Sequence, residues 1–459
     1  MIKKHWLSEP PSGKELSGWL GVLGWGAFLG TSWTWVIGMV LPALLIRDMG
    51  IAGFFVFALP NCIGAAAMGS VLSGSKARGL PKRHMGMILV FSIITVAYHF
   101  YIAGYLLPNL LGIPSLILFA VAGILASIFV IRWKDKGAVI FSLIAWVISI
   151  GCFLVSITIP DAAAFSILKE RPLLDSSYTW FFLPASVGGF LLCPYLDATF
   201  IRARARTEKV TGILAFKIGF LVFFASMIVF TVAYGHELVN AFAGEKNRLD
   251  GVWAILLLIH IPLQMGLTVA WHCREIVAAV HYQFKERIIK LENVDCRQCA
   301  VLAKNFLRTG LISSVIGCGL LFFLIFLLGV LLKDISFEWF RNFKVTNQIE
   351  DLYEGYKLER FISVGEVGYR CILIMYGTLF PAYVLLMMLP TIFSAEIKRP
   401  WWALAITVVL SSVTTYFGFV HDQGWAIAAT LGIICLGRLW VDFKAFKQSK
   451  LDGDLPLGV

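Results

Sequence analysis

Four polar residues recur at steps of four along an apolar stretch in the second half of the chain: His260, Gln264, Thr268 and His272, followed by Glu275. On a helix of about 3.6 residues per turn each such step rotates a side chain by about 40°, so all five fall within an arc of about 120°. A polar stripe on an apolar helix lines a cavity or bonds to neighbouring helices, because facing lipid is costly. Imidazole can exchange protons, carboxamide and hydroxyl can orient a polar solute, and hydroxyl and carbonyl oxygens suit a hard cation. Two other faces carry related chemistry. Tyr98, Tyr101 and Tyr105 recur at i, i+3, i+7 with His99 beside them, and Ser142, Ser149 and Ser156 recur at sevens. Asp197 and Glu275 are the two acidic residues that fall inside predicted membrane spans. Asp197 would bind a cation, carry a coupling proton, or simply help fold the end of its span. Arg274 beside Glu275 reads as a gate pair or as a side chain snorkelling to the membrane surface.

Catalytic and metal motifs are weak. Cys296-Arg-Gln-Cys299 is a lone pair without the four ligands that structural zinc needs. His236-Glu-Leu-Val-Asn240 has Asn where the second His of a zinc-protease motif belongs and reads as a loop. Gly30-Thr-Ser32 has no partner base, and no phosphate-binding GxxxxGK[ST] occurs. No metal or cofactor is expected, and the chain does not read as an enzyme.

The elements that would position these residues are membrane helices. The 459 residues are 59% hydrophobic and 15% charged, with a mean hydropathy of +0.81, the composition of an integral membrane protein. Twelve spans are expected, at 18–46, 51–72, 86–107, 114–131, 137–159, 178–201, 211–235, 252–282, 309–332, 368–393, 401–420 and 424–441. With the N-terminus in the cytoplasm, 25 of the 39 Lys and Arg lie in cytoplasmic segments and 10 outside, as the positive-inside rule requires. The net charge of +11 is then a topology signal rather than a nucleic-acid-binding one. Both termini (1–17 and 442–459) are expected inside, without a signal peptide or appended domain. The segment 333–367 is expected outside, with Ile349 to Phe361 forming one or two short surface helices. The plasma (inner) membrane is the expected location; oligomeric state is not legible.

Two spans are irregular. Gly18 to Ile46 is 29 residues, about 43 Å as a straight helix at about 1.5 Å per residue, against about 20 residues needed to cross. It holds six glycines, three hydroxyls and Pro42. Such a run is either interrupted near mid-depth, with freed backbone lining a cavity, or tilted with small residues for close packing. The sixth span has Gly188 and Gly189 between Pro184 and Pro194, and proline removes a donor and clashes with the preceding turn. The first span enters from inside and the sixth from outside. Interrupted segments at matching places in two halves point to a transporter built from a five-plus-five inverted repeat. Residues 18–159 would form the first half, 178–393 the second, and 401–441 two peripheral helices. The fold class expected is therefore all-α polytopic, with about 12 membrane helices and the first and sixth broken.

The order Gly30-Thr-Ser-Trp-Thr-Trp-Val-Ile-Gly-Met-Val-Leu-Pro42, then Arg47-Asp-Met-Gly50, then Gly64-Ala-Ala-Ala-Met-Gly69 resembles the start of the core in solute:sodium symporters. That family belongs to the amino acid/polyamine/organocation superfamily with the leucine-transporter-like fold. Gln264-Met-Gly-Leu-Thr-Val-Ala-Trp-His272 sits where the family's eighth core helix supplies hydroxyls to sodium. The resemblance implies a secondary transporter of a small polar organic solute, a cation-coupled symporter working by alternating access within the lipid bilayer. Phe28, Leu29, Gly30, Thr31, Ser32, Trp33, Trp35, Tyr98, Tyr101, Ser186, Gly188, Gly189, His260 and Gln264 would bind solute. Thr34, Asp197 and Thr268 would hold the coupling Na+ or H+, and Arg274 with Glu275 would gate. A non-transporting solute sensor of the same fold, or a membrane-embedded enzyme using the span-8 histidines, are the alternatives.

Overall fold

The computed structural model of the chain describes residues 18–160, 163–174, 176–243, 249, 251–291, 344–350, 357–390 and 401–451. In lipid the backbone must satisfy its own hydrogen bonds, and these apolar segments do so as helices. Among the described residues, eight helices are long and apolar enough to cross a membrane, which makes the chain a helical multi-pass membrane protein. Several are expected spans run together. Helix α2 (Val36–Val71) turns at Gly50, where φ is 66°, and Pro172 would meet any added Cβ at 2.9 Å. Helix α3 (Gly74–Leu111) bends at His84, and α4 (Ile113–Thr158) turns at Lys134, whose φ is 54°. The expected span 309–332, with Cys296 and Cys299 before it, lies outside the described residues.

The first span breaks. Helix α1 (Gly18–Trp33) ends at Thr34 and Trp35, and Trp35 is extended at φ −98°, ψ −174° before α2 begins. The sixth breaks too. Helix α5 (Ser176–Leu192) gives way to a 3-10 turn at Cys193–Leu196, and Asp197 caps a separate helix α6 (Ala198–Arg206).

Both interruptions fall later in the chain than the glycines suggest. Phe28 to Ser32 is the last stretch of α1, and Ser186, Gly188 and Gly189 lie within α5. Those glycines serve contact instead: a Cβ on Gly30 would sit 2.8 Å from Phe223 Cβ, and one on Gly189 3.0 Å from the Tyr376 carbonyl. The actual break in the sixth span begins where Pro194 has no N–H to continue the ladder.

The seventh span is α7 (Lys209–Ile218), a π-helical stretch at Gly219–Phe224, and α8 (Ala225–Ala233). Residues 236–240, read from sequence as a loop, lie in helix α9 (Gly235–Ala243), with His236 bonded to Glu170 and Asn240. Helix α10 (Gly251–Leu291) carries the polar stripe. Of the segment 349–361, expected to form surface helices, residues 351–356 lie outside the described residues, and its two ends belong to antiparallel strands, β1 (Lys344–Glu350) and β2 (Lys357–Ser363), paired Lys344 to Ser363 through Glu350 to Lys357. Val345, Thr346, Ile349, Phe361 and Ile362 are strand formers, which favours paired strands over helix here. The tenth span is α11 (Val364–Gly377), a break at Thr378, α12 (Leu379–Tyr383) and a second π stretch at Val384–Met388. Helices α13 (Trp401–Val420) and α14 (Gly424–Leu451) pack on each other.

The small-residue end of α2 packs as its composition predicts. A Cβ on Gly64 would lie 2.9 Å from Leu191 Cα, and one on Gly69 2.5 Å from Phe216 Cβ. These faces seat the second span directly on α5 and α7.

Candidate functional site

The gaps meet at a buried polar cluster. Ser32 closes α1, Asp197 and Thr199 open α6, His272 comes from α10 and Ser92 from α3; all five are at most 1% exposed. Asp197 caps α6 by accepting the Thr199 N–H at 2.7 Å and the Thr199 hydroxyl at 2.6 Å, both on Oδ1. The Thr199 hydroxyl also lies 3.1 Å from Ser32 Oγ, which donates to the Leu29 carbonyl at 3.2 Å. Asp197 Oδ2 has no hydrogen-bond partner and faces His272 Nε2 at 3.8 Å. The other ring nitrogen, His272 Nδ1, lies 3.2 Å from Ser92 Oγ. Carboxylate, imidazole and hydroxyls at this spacing can hold a proton or a cation, or orient a polar ligand group.

The rest of the α10 stripe is buried against α4, whose serine row meets it. Ser149 Oγ lies 2.9 Å from His260 Nδ1 and accepts the Gln264 amide at 2.9 Å. His260 Nε2 and Gln264 Oε1 find no partner. Phe230 packs 4.7 Å from the His260 ring centre. Thr268 crosses to the first span: its hydroxyl donates to the Gln264 carbonyl at 3.1 Å and lies 3.3 Å from the Thr31 carbonyl. Thr34 Oγ1 donates to the Gly30 carbonyl at 2.7 Å. The candidate cation hydroxyls of Thr34 and Thr268 are thus turned toward main-chain oxygens, while the Thr31 hydroxyl reaches the Ser142 carbonyl at 3.4 Å.

Aromatic rings wall one side. Trp35, at the break, stacks on His99 at 5.8 Å and packs on Tyr98 at 6.0 Å and Tyr376 at 5.0 Å. Trp33 lies over Phe91 and Phe200 and donates from Nε1 to Asn61 at 2.6 Å. Tyr376 also meets Phe91 at 5.6 Å, and its hydroxyl is 3.1 Å from Thr95 Oγ1. Phe28 stands apart, against Trp271 and beneath the Arg274 guanidinium at 5.5 Å. Tyr101 is half-buried. Of the sequence-expected solute residues, the structure brings Ser32, Trp33, Trp35 and Tyr98 to the break region. Gly30 packs on Phe223, and Ser186 is taken up by a 2.6 Å bond to the Val56 carbonyl. Gly188 packs toward Leu431 and Gly189 toward Tyr376, both outside the gap. Phe91, Tyr376 and Thr199 were not among the expected site residues.

Two ionic networks lie at opposite ends of the bundle. At one, Arg202 bonds both oxygens of Glu275, from Nε at 2.5 Å and Nη2 at 2.9 Å, and reaches Asp135 at 3.4 Å. Arg274 bonds Glu275 at 2.9 Å and Asp135 at 3.1 Å, and Arg206 approaches Asp135 at 3.4 Å. Burial opposes charge on Arg202, which lies just beyond the span 178–201, but Glu275 and Asp135 outweigh it and raise its pKa above the ordinary arginine value. At the other end Arg47 bonds Glu366 through two nitrogens, at 2.7 and 3.1 Å, and Asp48 at 2.8 Å. Arg370 joins Asp48 at 3.0 Å, Glu366 at 2.8 Å and Asp422 at 2.9 Å. A cavity of about 30 Å³ opens beside this second network, lined by Asp48, Tyr178, Phe182, Tyr369, Arg370 and Asp422 among others, with room for about one water. Arg274, read from sequence as a gate partner or as able to snorkel, is tied into the first of these networks.

Among the described residues no group of three or more His, Cys, Asp or Glu could hold a metal ion. No family model matches the chain, and no curated protein matches it.

Proposed function

We propose that the chain is a secondary active transporter of a small polar organic solute, a cation-coupled symporter of the solute:sodium symporter kind with a five-plus-five inverted repeat. The observation that carries this is the pair of broken helices whose gaps meet at a buried polar cluster, with one carboxylate oxygen left unpartnered. Backbone interrupted inside a membrane protein is tolerated where it lines a site, and discontinuous helices in two halves are how such carriers build one. In this reading Trp33, Trp35, Tyr98 and Tyr376 wall the solute, and Ser32, Asp197 and Thr199 present polar groups to it or to the ion.

The two ionic networks supply what alternating access needs: a closure on each side of the site. With both termini cytoplasmic, Arg202–Glu275–Arg274–Asp135 closes the inner side and Arg47–Glu366–Arg370–Asp48 the outer side. Breaking one while the other holds would expose the site to one compartment at a time.

The test is uptake by the purified full chain in proteoliposomes, with an imposed sodium or proton gradient and a panel of radiolabelled amino acids, polyamines, sugars and organic cations. Concentrative uptake of at least one solute, collapsed by an ionophore, is expected. Binding of a panel solute unaffected by either gradient, with no uptake, would replace the carrier by a sensor.

A further inference from the structure

We propose that the coupling ion is a proton, held between Asp197 Oδ2 and His272 Nε2. The inference rests on the carrier reading and deepens it, but its readout needs no solute.

The two oxygens of Asp197 are placed differently. Oδ1 is fully engaged by the Thr199 amide and hydroxyl. Oδ2 is wholly buried and meets no donor. A carboxylate removed from water needs a compensating charge or hydrogen. The His272 ring, 3.8 Å away and 1% exposed, is a group able to supply one. One proton serves both partners. On Oδ2 it leaves a neutral acid facing a neutral imidazole; moved to Nε2 it leaves carboxylate facing imidazolium. The net charge of the pair is the same in either state, and no other reactant is required. Ser92 Oγ, 3.2 Å from Nδ1, can accept from the N–H there and so leave Nε2 bare to receive. At 3.8 Å the pair is short of a hydrogen bond, so transfer follows a closing of about 1 Å.

The alternative metal-ion ligands are differently disposed. The hydroxyls of Thr34 and Thr268 point at the carbonyls of Gly30, Gln264 and Thr31, so a metal ion there would have to part α1 from α10. A hard cation also wants several oxygens around it, whereas Oδ2 looks onto a nitrogen. The other titratable groups bearing on the pair are Glu275 and Arg274 on α10, Tyr376 on α11 and His99 on α3, with Cys193 of the 3-10 turn beside Tyr376.

The position links ion to gate. Asp197 is the N-cap of α6, where a negative charge favours the helix. The same helix carries Arg202, bonded to Glu275, three residues beyond His272 on α10. Two struts therefore join α6 to α10, one protonatable and one ionic. Loading the first alters the cap from which the second hangs.

The experiment is infrared difference spectroscopy of the full chain in lipid nanodiscs, stepping pH with no solute present, with and without sodium. The expected result is one protonated-carboxyl band that titrates in the wild-type chain, is lost in Asp197→Asn, and is indifferent to sodium. His272→Gln should keep the band and move its midpoint by about one pH unit or more, a coupling of about 1.4 kcal/mol. The absence of any titrating protonated-carboxyl band in the wild-type chain, or a band that persists in Asp197→Asn, would overturn the proposal, and the first of these outcomes needs no folded variant. A band erased by sodium at fixed pH would overturn it in favour of a metal ion. If the band titrates as expected and no panel solute is taken up, the carrier reading falls while the proton site stands.

Discussion

Arg202→Ala should unlock the inner side of the bundle. Arg202 donates to both oxygens of Glu275, which is 0% exposed, and reaches Asp135. Removing one partner of a buried ion pair costs about 3–5 kcal/mol, because the other charge is left uncompensated. Here Glu275 keeps Arg274 at 2.8 Å, and Asp135 keeps Arg274 and Arg206, so the lower figure applies. If the closed state alone holds these contacts, about 3 kcal/mol shifts the closed-to-open ratio by about 150-fold. Cys193 is a built-in reporter: it sits on the 3-10 turn of the sixth span and is 1% exposed. In a chain stripped of the other eight cysteines, a membrane-impermeant thiol reagent applied to the cytoplasmic face should label it about 100-fold faster in Arg202→Ala. Arg202→Lys should fall between, since an ammonium keeps the charge without the two-pronged geometry. Labelling within twofold of the parent, in a variant that stays folded, would refute the idea that this network holds the inner side shut.

Arg370→Ala removes bonds to Asp48, Glu366 and Asp422 together, and should raise Cys193 labelling from the opposite face only, read in right-side-out vesicles. Gly69→Val places its first carbon 2.5 Å from Phe216 Cβ; overpacking of about 1–3 kcal/mol should lower the thermal midpoint in detergent. Trp33→Phe deprives Asn61 Oδ1 of a 2.6 Å donor, a loss of about 1–3 kcal/mol that denaturation should register, and a midpoint equal to the parent's would speak against that bond. Thr268→Val should leave gradient-driven uptake within about threefold if the ion is a proton, and a tenfold loss would favour sodium at the Thr31–Thr268 contact.

The breaks were legible as facts but not as places. Excess length in the first span and Pro194 in the sixth are signals carried by the chain itself, and both spans are interrupted. Their glycines misled because glycine answers two needs, weak helix and close approach; at Gly30 and Gly189 the neighbour sits within 3.0 Å of the missing carbon, so approach was the need met. The α10 stripe was legible because its period is local, and so was the serine row of α4 that meets it. The networks were not: Arg47 and Glu366 are 319 residues apart, and no local pattern announces such a pairing. Asp197 was visible as an odd carboxylate at depth, whereas its partner His272 was one member of a stripe until the fold turned the two toward each other. The strands at 344–350 and 357–363 were not expected, although Val345, Thr346, Ile349, Phe361 and Ile362 favour strand, because their pairing joins two separate segments of chain.

The π-helical stretch at Gly219–Phe224 has a mechanical meaning. A wider turn stores one residue of slack inside an otherwise continuous rod. That slack can migrate: each peptide in succession swaps its acceptor by one position, and the bulge travels without the rod ever coming apart. Gly219 lies against Gly26 and Leu29, and Phe223 against Gly30, so the widened turn bears on the glycine-rich flank of α1. Moving the bulge by one residue would change which part of the seventh span meets those glycines, and it would do so in a helix outside the buried polar cluster.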